Sequence, residues 1–479
     1  MSRILFLQNN GINESLALTE VSAMLKRGGH EVVLFLEDEE PKLPQKITSF
    51  GPEIAIVPCH VAGHEEALRY AHLIKSCSPD CLTVLAGTHA TFDPELALET
   101  SVDAVCIGEA DTALLELCAR LDQGKDWREA PNLAFEDGGL QQNEKLPLIA
   151  DLDSLAMPDR DLYFRYPFMA QFPWKKFSTG RGCVHACSFC WNPSVAEMYK
   201  GKVPFTRRKS PERAVEEVHW VAQNYPLKTV HFSDDLFTFQ PSWLEEFAEI
   251  YARRVGIPFT CNSSVELVSQ RNVDSLRAAG CRGVAIGIET GNEVLRSSIL
   301  KKTVTNDDVR AAAGRIKKAG MELTTFNMLA SPGESLEDAF STIRLNQEIG
   351  TDHVRVALAV PIPFTEWETN AQAEGTLDAS YEQQRVASLR RPIPAFNTED
   401  NQAFENLYYL FRLAVHYPKT EKLVRQLIRS PSSRPFDPLR LLIALEEKRI
   451  NGLGWRDGLR FFSHVGDPKK RTANYVTLI

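Results

Sequence analysis

Arg181-Gly182-Cys183-Val184-His185-Ala186-Cys187-Ser188-Phe189-Cys190 sets three cysteines in a Cys-x-x-x-Cys-x-x-Cys loop, directly after a strand-like segment at 176–178. Such a loop can wrap one face of a cubane iron–sulfur cluster. Clusters of that kind ordinarily take four thiolates, so three leave one iron without a protein ligand. An open position is what a reacting metal site needs, as the contrast between catalytic and structural zinc shows. Cys183, Cys187 and Cys190 are therefore candidate ligands of a 4Fe-4S cluster. The competing reading is structural zinc with His185 as fourth ligand. Structural zinc usually draws two separated ligand pairs, whereas His185 lies between two of the cysteines. The other seven cysteines are scattered along the chain, and packing as small apolar side chains accounts for them.

Downstream of the loop, strand-like segments at 229–232, 259–262, 283–288, 323–328 and 354–359 alternate with helical patterns. The helix opening at Ser210-Pro211-Glu212 has serine as N-cap and proline at its first position. With the segment at 176–178 these strands predict a partial (β/α)6 barrel over residues 174–376. Upstream, short apolar runs rich in β-branched residues stand at 4–7, 32–35, 54–57, 83–85 and 104–107. Helical segments at 65–76 and 112–122 lie between them. Strand–helix–strand at this spacing implies right-handed crossovers and a doubly wound, flavodoxin-like sheet over residues 1–125. Its ligand would sit beyond the strand C-termini, on the loops at 8–13, 58–63, 86–91 and 108–111. Residues 126–173 read as a linker, because the alternation stops there. Residues 377–479 read as a C-terminal helical unit, with helices at 407–415, 420–428 and 438–447. The class is α/β throughout.

The 479 residues are too many for one simple core. A net charge of −9 argues against a general nucleic-acid binder, so none is expected as a partner. No run approaches the ~18 apolar residues needed to span a bilayer, and Met1 to Asn10 shows no signal-peptide pattern. A cytoplasmic location with no membrane contact follows as the expectation. Ten cysteines in that reducing compartment are then core fillers or metal ligands.

The triad, with Phe189 before its third cysteine, resembles the hallmark of the radical S-adenosylmethionine (SAM) superfamily, which implies Phe189 as a cofactor contact. Three further segments carry the resemblance over about 150 residues. Phe232-Ser233-Asp234-Asp235-Leu236-Phe237 stands where that family binds the methionyl amine, which implies Ser233, Asp234 and Asp235 as contacts. Gly287-Ile288-Glu289-Thr290-Gly291 resembles the strand-four segment, implying Gly287 and Glu289. The run from Thr325 through Asn327 to Glu334 resembles the segment flanking the adenine, although Ala330 and Ser331 depart from the usual Gly-Leu-Pro-Gly-Glu. Phe364 and Thr365 depart from the family's Pro-Gly-Thr and are candidates for shaping a substrate mouth.

The first domain resembles the cobalamin-binding domain that precedes many of these enzymes. Ala86-Gly87-Thr88-His89-Ala90-Thr91 is similar to its Gly-Gly-x-His-Ala-Thr loop, and residues 103–109 to its Asp-x-Val-x-x-Gly-Glu segment. The implied cobalamin contacts are Asn9, Gly11, Cys59, His60, Gly87, Thr88, His89 and Glu109. The Asp-x-His-x-x-Gly of methionine-synthase-type domains is absent, since residues 8–13 hold no histidine. His60 could instead face the lower side of cobalt, or it could be a rim histidine bonded to solvent.

Taken together, the resemblance is to class B methyltransferases of the superfamily. It implies cleavage of SAM, hydrogen abstraction from an unactivated carbon of a small-molecule substrate, and cobalamin-dependent methylation there. Cobalamin-linked oxidative cyclisation or rearrangement is the alternative. An external electron donor such as flavodoxin or ferredoxin is implied as a partner.

Overall fold

Five parallel strands form the first sheet: β1 (Arg3–Gln8), β2 (Glu31–Leu36), β3 (Ile54–Pro58), β4 (Leu82–Ala86) and β5 (Ala104–Cys106). The computed structural model describes residues 1–9, 14–61, 63–201, 203–377, 394–396, 399–439, 449–452 and 457. The strand order β2-β1-β3-β4-β5 is the flavodoxin-like one that the spacing predicts. Near-continuous apolar runs are needed because both sheet faces are covered. On one face Leu5, Leu7, Ala55, Val57 and Leu85 pack against Ala67, Tyr70, Ala71 and Ile74 of the helix His64–Cys77.

The stretch read as a linker adds to this unit. Its β6 (Leu133–Glu136) and β7 (Leu140–Gln142) form an antiparallel hairpin that pairs with β5. Asp137-Gly138-Gly139 marks the turn, and the buried Leu133-Ala134-Phe135 triplet was too short to register as a strand. Residues beyond the hairpin are tied back as well. Arg160 lies 3.0 Å from Glu14, and Tyr163 donates to Gln8 Oε1 at 2.6 Å. Tyr166 donates to the Leu34 carbonyl at 2.9 Å. By its contacts the chain divides into two units, one holding Met1–Gln171 with Met198–Phe205, the other Phe172–Glu197 with the described residues from Thr206 onward.

The second unit is built on β8 (Trp174–Phe177), followed by a ribbon of β9 (Gly180–Arg181) and β10 (Arg207–Arg208). Then come β11 (Thr229–Phe232), β12 (Phe259–Ser263), β13 (Cys281–Glu289), β14 (Glu322–Leu329) and β15 (His353–Leu358). All neighbours in β8-β11-β12-β13-β14-β15 pair parallel and in chain order, the partial barrel that the sequence predicts. Behind its first strands Phe232, Phe237, Phe247, Tyr251 and Phe259 pack edge to face or stacked, with centroids 4.6–6.2 Å apart.

Helix Asn401–His416 buries Phe404, Leu407, Leu410 and Phe411 in one core with Val354 and Val356 of β15 and with Phe340 and Ile343. The C-terminal helices described here, including Glu421–Leu427, thus share the barrel's core and do not build a separate one. The helix expected at 438–447 lies outside the described residues apart from Pro438 and Leu439. Among the described residues no helix is long and apolar enough to cross a membrane.

At the C-terminal edge of the first sheet Gly87 has φ +134°, and a Cβ there would stand 2.7 Å from the Cys59 carbonyl oxygen. Only glycine permits that backbone approach between the loops after β3 and β4. Gly87→Ala should therefore destabilise the first unit by on the order of 1–3 kcal/mol. Urea denaturation followed by far-UV circular dichroism should show a lower midpoint than the native chain.

Candidate active site

The cysteine loop leaves β9 through Gly182, whose φ is +86°. Buried Ser188 anchors its centre: its Oγ donates to the Ile299 carbonyl at 2.5 Å and its N–H to the Leu300 carbonyl at 3.3 Å. The Ser188 carbonyl accepts from the Trp367 N–H at 3.2 Å. Phe189 packs 5.9 Å from the Trp367 ring in a cluster with Leu300, Ala371 and Phe396. Its ring therefore supports the loop from behind, a packing role in place of the cofactor contact inferred for it. Trp191 Nε1 donates to the Pro363 carbonyl and Ser194 Oγ to that of Phe364, at 2.8 and 3.0 Å. The loop after β15 is thereby fixed to the cysteine loop, and Phe364 sits there with φ +66° and its ring partly exposed.

All three triad cysteines are half-buried and unpaired in disulfides. Burial pushes the Cys183 thiol up to about 11 and Cys187 up to about 12, and it raises Cys190. Cys190 acts electrostatically on Cys183, and both act on Cys187. Among the described residues no three His, Cys, Asp or Glu side chains converge to hold a single metal ion. His185 turns away to Ser264, with Nε2 3.1 Å from its Oγ. The geometry thus suits a polynuclear cluster better than zinc. Coordination would supply the positive charge that deprotonates such buried thiols.

Asn192, which sequence reasoning passed over, sits beside the triad. Its Nδ2 lies 3.6 Å from Cys190 Sγ and donates to Asp235 Oδ2 at 2.9 Å. Hydrogen bonds to cluster sulfurs tune such sites. No spacing rule marks an asparagine two residues past a cysteine.

The loop after β11 separates two aspartates that the sequence treats alike. Asp234 is buried and accepts from the Thr179 N–H at 3.0 Å and its hydroxyl at 2.7 Å. Burial raises its carboxyl above the usual range, against the opposing pull of Arg208 and Thr179. Both its oxygens accept from Thr179, so Asp234 clamps the end of β8. Asp235 is exposed and acts electrostatically on Cys183 and Cys190. Ser233 donates to the Phe177 carbonyl at 3.1 Å. Ser233, Asp234 and Asp235 line a cleft of about 190 Å³ with Gly182, Arg181 and Arg208.

At the end of β13 the register against β14 slips between Gly287 and Glu289. Glu289 is buried with φ +60° and meets Lys302 Nζ at 3.0 Å. A Cβ on Gly287 would stand 2.2 Å from Glu289 Oε1, so glycine is required for the carboxylate to fold back. Asn327 corrects another expectation. Its Nδ2 donates to the Arg355 carbonyl at 3.0 Å and its Oδ1 accepts from Asn346 at 2.8 Å. It is 2% exposed, so its amide serves the sheet and not a nucleoside.

In the first unit Gln8, Asn9, Pro58, His60, Gly63 and Glu66 line a cleft of about 130 Å³ at the C-terminal edge of β1 and β3. His60 keeps exposed surface there, while its surroundings desolvate the imidazole enough to lower its pKa. Cys59 is fully buried in the sheet's core, and burial pushes its thiol up to about 12. Its side chain is withdrawn from any ligand, contrary to expectation. His89 is likewise buried, stacked on His64 at 4.6 Å and 3.4 Å from Asp93. Glu109 accepts from the Ile149 N–H at 2.9 Å. Thr88, half-buried, opens the short helix Thr88–Phe92 after Gly87. Gly11 lies outside the described residues. The close-approaching backbone at Gly87 and the cleft beside His60 both lie on the C-terminal edge, where parallel sheets bind ligands.

Residues 3–118 match the B12 binding domain family, and residues 177–345 match the Radical SAM superfamily. The chain carries a radical SAM domain and a B12-binding domain. This radical SAM enzyme is 27% identical over 328 residues to an uncharacterized methyltransferase of Pyrococcus horikoshii, covering 67% of this chain and 70% of that protein. It is 25% identical to the anaerobic magnesium-protoporphyrin IX monomethyl ester cyclase of Rubrivivax gelatinosus, covering 72% of this chain and 64% of the cyclase. Its fold is similar to that of the radical SAM methyltransferase TsrM from Kitasatospora setae with cobalamin and a 4Fe-4S cluster bound. The TM-score is 0.66 at 16% identity, over 79% of this chain and 76% of TsrM.

The two aspartates should separate in this radical SAM enzyme. Asp235→Ala should weaken SAM binding roughly tenfold by loss of a charge-assisted contact, with folding intact. Asp234→Ala should lower the melting temperature, because it strands the buried Thr179 donors. Isothermal titration with SAM and thermal melts of both variants check the division.

Proposed function

We propose that this chain methylates an unactivated carbon of a small molecule, using a 4Fe-4S cluster, SAM and cobalamin. The observation that carries the reading is a three-thiol loop with no fourth protein ligand among the described residues, in one chain with a B12-binding sheet that opens a cleft at its C-terminal edge. Cys183, Cys187 and Cys190 would hold the cluster, and Asn192 would donate to its Cys190 sulfur. Asp235 and Ser233 would receive the methionyl ammonium of SAM. Glu289, held by Lys302, would bound the same mouth. Asn9, His60, Gly87 and Thr88 would edge the corrin, while His89 and Glu109 brace the loops that hold it.

Bound together, these groups supply a carbon-centred radical able to take hydrogen from an unactivated carbon, and a methyl group to replace it. The protein's part is to orient them and exclude water. Phe364, in a left-handed conformation that disfavours a side chain, presents an aromatic ring beside the cysteine loop and is the candidate for shaping the substrate mouth. A flavodoxin or ferredoxin would supply electrons in a reducing cytoplasm. The likeness to the anaerobic cyclase supports a second reading, oxidative ring closure without methyl transfer.

The two readings differ in their products. Methylation requires one SAM as radical source and a second as methyl donor. Incubation with methyl-labelled SAM, cobalamin and a candidate substrate should give 5′-deoxyadenosine and S-adenosylhomocysteine in equal amounts, with label in the product. Formation of 5′-deoxyadenosine alone by cobalamin-loaded protein would favour ring closure. Failure to take up cobalamin would remove the methylation reading.

A further inference from the structure

The turn after β13 contains a cation that no motif singles out. Lys302 is largely buried, and its Nζ donates to the Gly287 carbonyl at 2.8 Å and to Glu289 Oε1 at 3.0 Å. We propose that Lys302 is a positioning residue that holds Glu289 at the SAM mouth and sets the charge balance beside Cys187. The inference rests on the cluster assigned above to Cys183, Cys187 and Cys190.

Glu289 needs such a partner. Its backbone is left-handed at φ +60°, a conformation costly for a residue with a side chain. It lies at a register slip in the ladder, and its carboxylate folds back over Gly287. Nothing in the strand itself favours that arrangement, and the Lys302 ammonium compensates it. The lysine is in turn rigidly placed. Its N–H donates to the Arg296 carbonyl at 2.9 Å. Arg296 is fully buried and donates to the carbonyls of Ile288, Thr290 and Val304 and to Asn306 Oδ1. One guanidinium therefore bolts the turn 299–304 to the end of β13.

The same turn reaches the cysteine loop. Ser188 donates to the Ile299 carbonyl through its hydroxyl and to the Leu300 carbonyl through its N–H. Residues 299–302 thus touch the loop on one side and Glu289 on the other. Lys302, on the turn that holds Ser188, the chain neighbour of Cys187, thus forms a charge pair with Glu289 at 3.0 Å. A cation beside a cluster stabilises the reduced, more negative state, and an anion destabilises it. Lys302 and Glu289 should therefore move the cluster's potential in opposite directions.

The experiment is a potentiometric titration monitored by EPR on the full-length, anaerobically reconstituted protein. It compares the native chain with Lys302→Met, Lys302→Arg and Glu289→Gln, and SAM affinity is measured on each. Lys302→Met should make the cluster harder to reduce and weaken SAM binding about tenfold, the scale of one charge-assisted contact. Lys302→Arg should restore the potential. Glu289→Gln should make the cluster easier to reduce, a change of opposite sign that general loosening of the fold would not produce. If Lys302→Met fails to fold, Glu289→Gln decides: a potential that is unchanged or more negative overturns the inference. Unchanged potential and SAM affinity in a folded Lys302→Met variant also overturn it. A native chain that assembles no cluster overturns the cluster assignment itself, and the inference with it.

Discussion

A parallel strand has to be entered from the same end as its neighbour, so every connection crosses outside the sheet. The loops at the strand C-termini then form one edge, free of the packing that commits the rest of the chain. In the second unit that edge carries the cysteine loop after β8 and β9, Ser233 to Asp235 after β11, and Glu289 at the end of β13. In the first unit it carries Asn9, His60 and Gly87. Within the second unit, Cys183 and Glu289, more than a hundred positions apart, share one edge because the ladder leaves them no other.

Burial then divides the polar residues on that edge into two groups. A carboxylate removed from water has to be matched by donors, and one so matched has little left to offer a ligand. Asp234, with Thr179 donating twice, belongs to the frame, as does Asn327 within its network with Asn346. Asp235, one residue further on, remains exposed with a single bond to Asn192. Glu289 stands between the groups, buried but held by a cation and a glycine. The same division runs through the first unit, where Cys59 and His89 are drawn into the sheet and His60 is left on the rim.

This division explains what the amino-acid sequence reveals and what it conceals. Strand positions were legible because both sheets demand uninterrupted apolar segments, and the triad was legible because cluster ligation imposes a spacing. The difference between Asp234 and Asp235 was not legible, since it depends on Thr179 arriving from another strand. Lys302 and Asn192 escaped for the same reason: their partners are set by a turn and a sulfur, not by a repeat. The hairpin at β6 and β7 was hidden by its length, three or four residues per strand. The helix Asn401–His416 was visible as a helix, but its burial against β15 was not, because an amphipathic stripe does not name the surface it covers.

The central claim is that three thiols hold a cluster whose remaining iron is open to SAM. It is tested most directly by EPR spectra of the reduced, anaerobically reconstituted protein before and after addition of SAM labelled with nitrogen-15 at its amine, with hyperfine couplings resolved. The account predicts a cubane-type signal whose g-values shift on addition of SAM, with a coupling to the labelled nitrogen. A signal unchanged by SAM and free of that coupling, or a protein that binds zinc in place of iron, would contradict it.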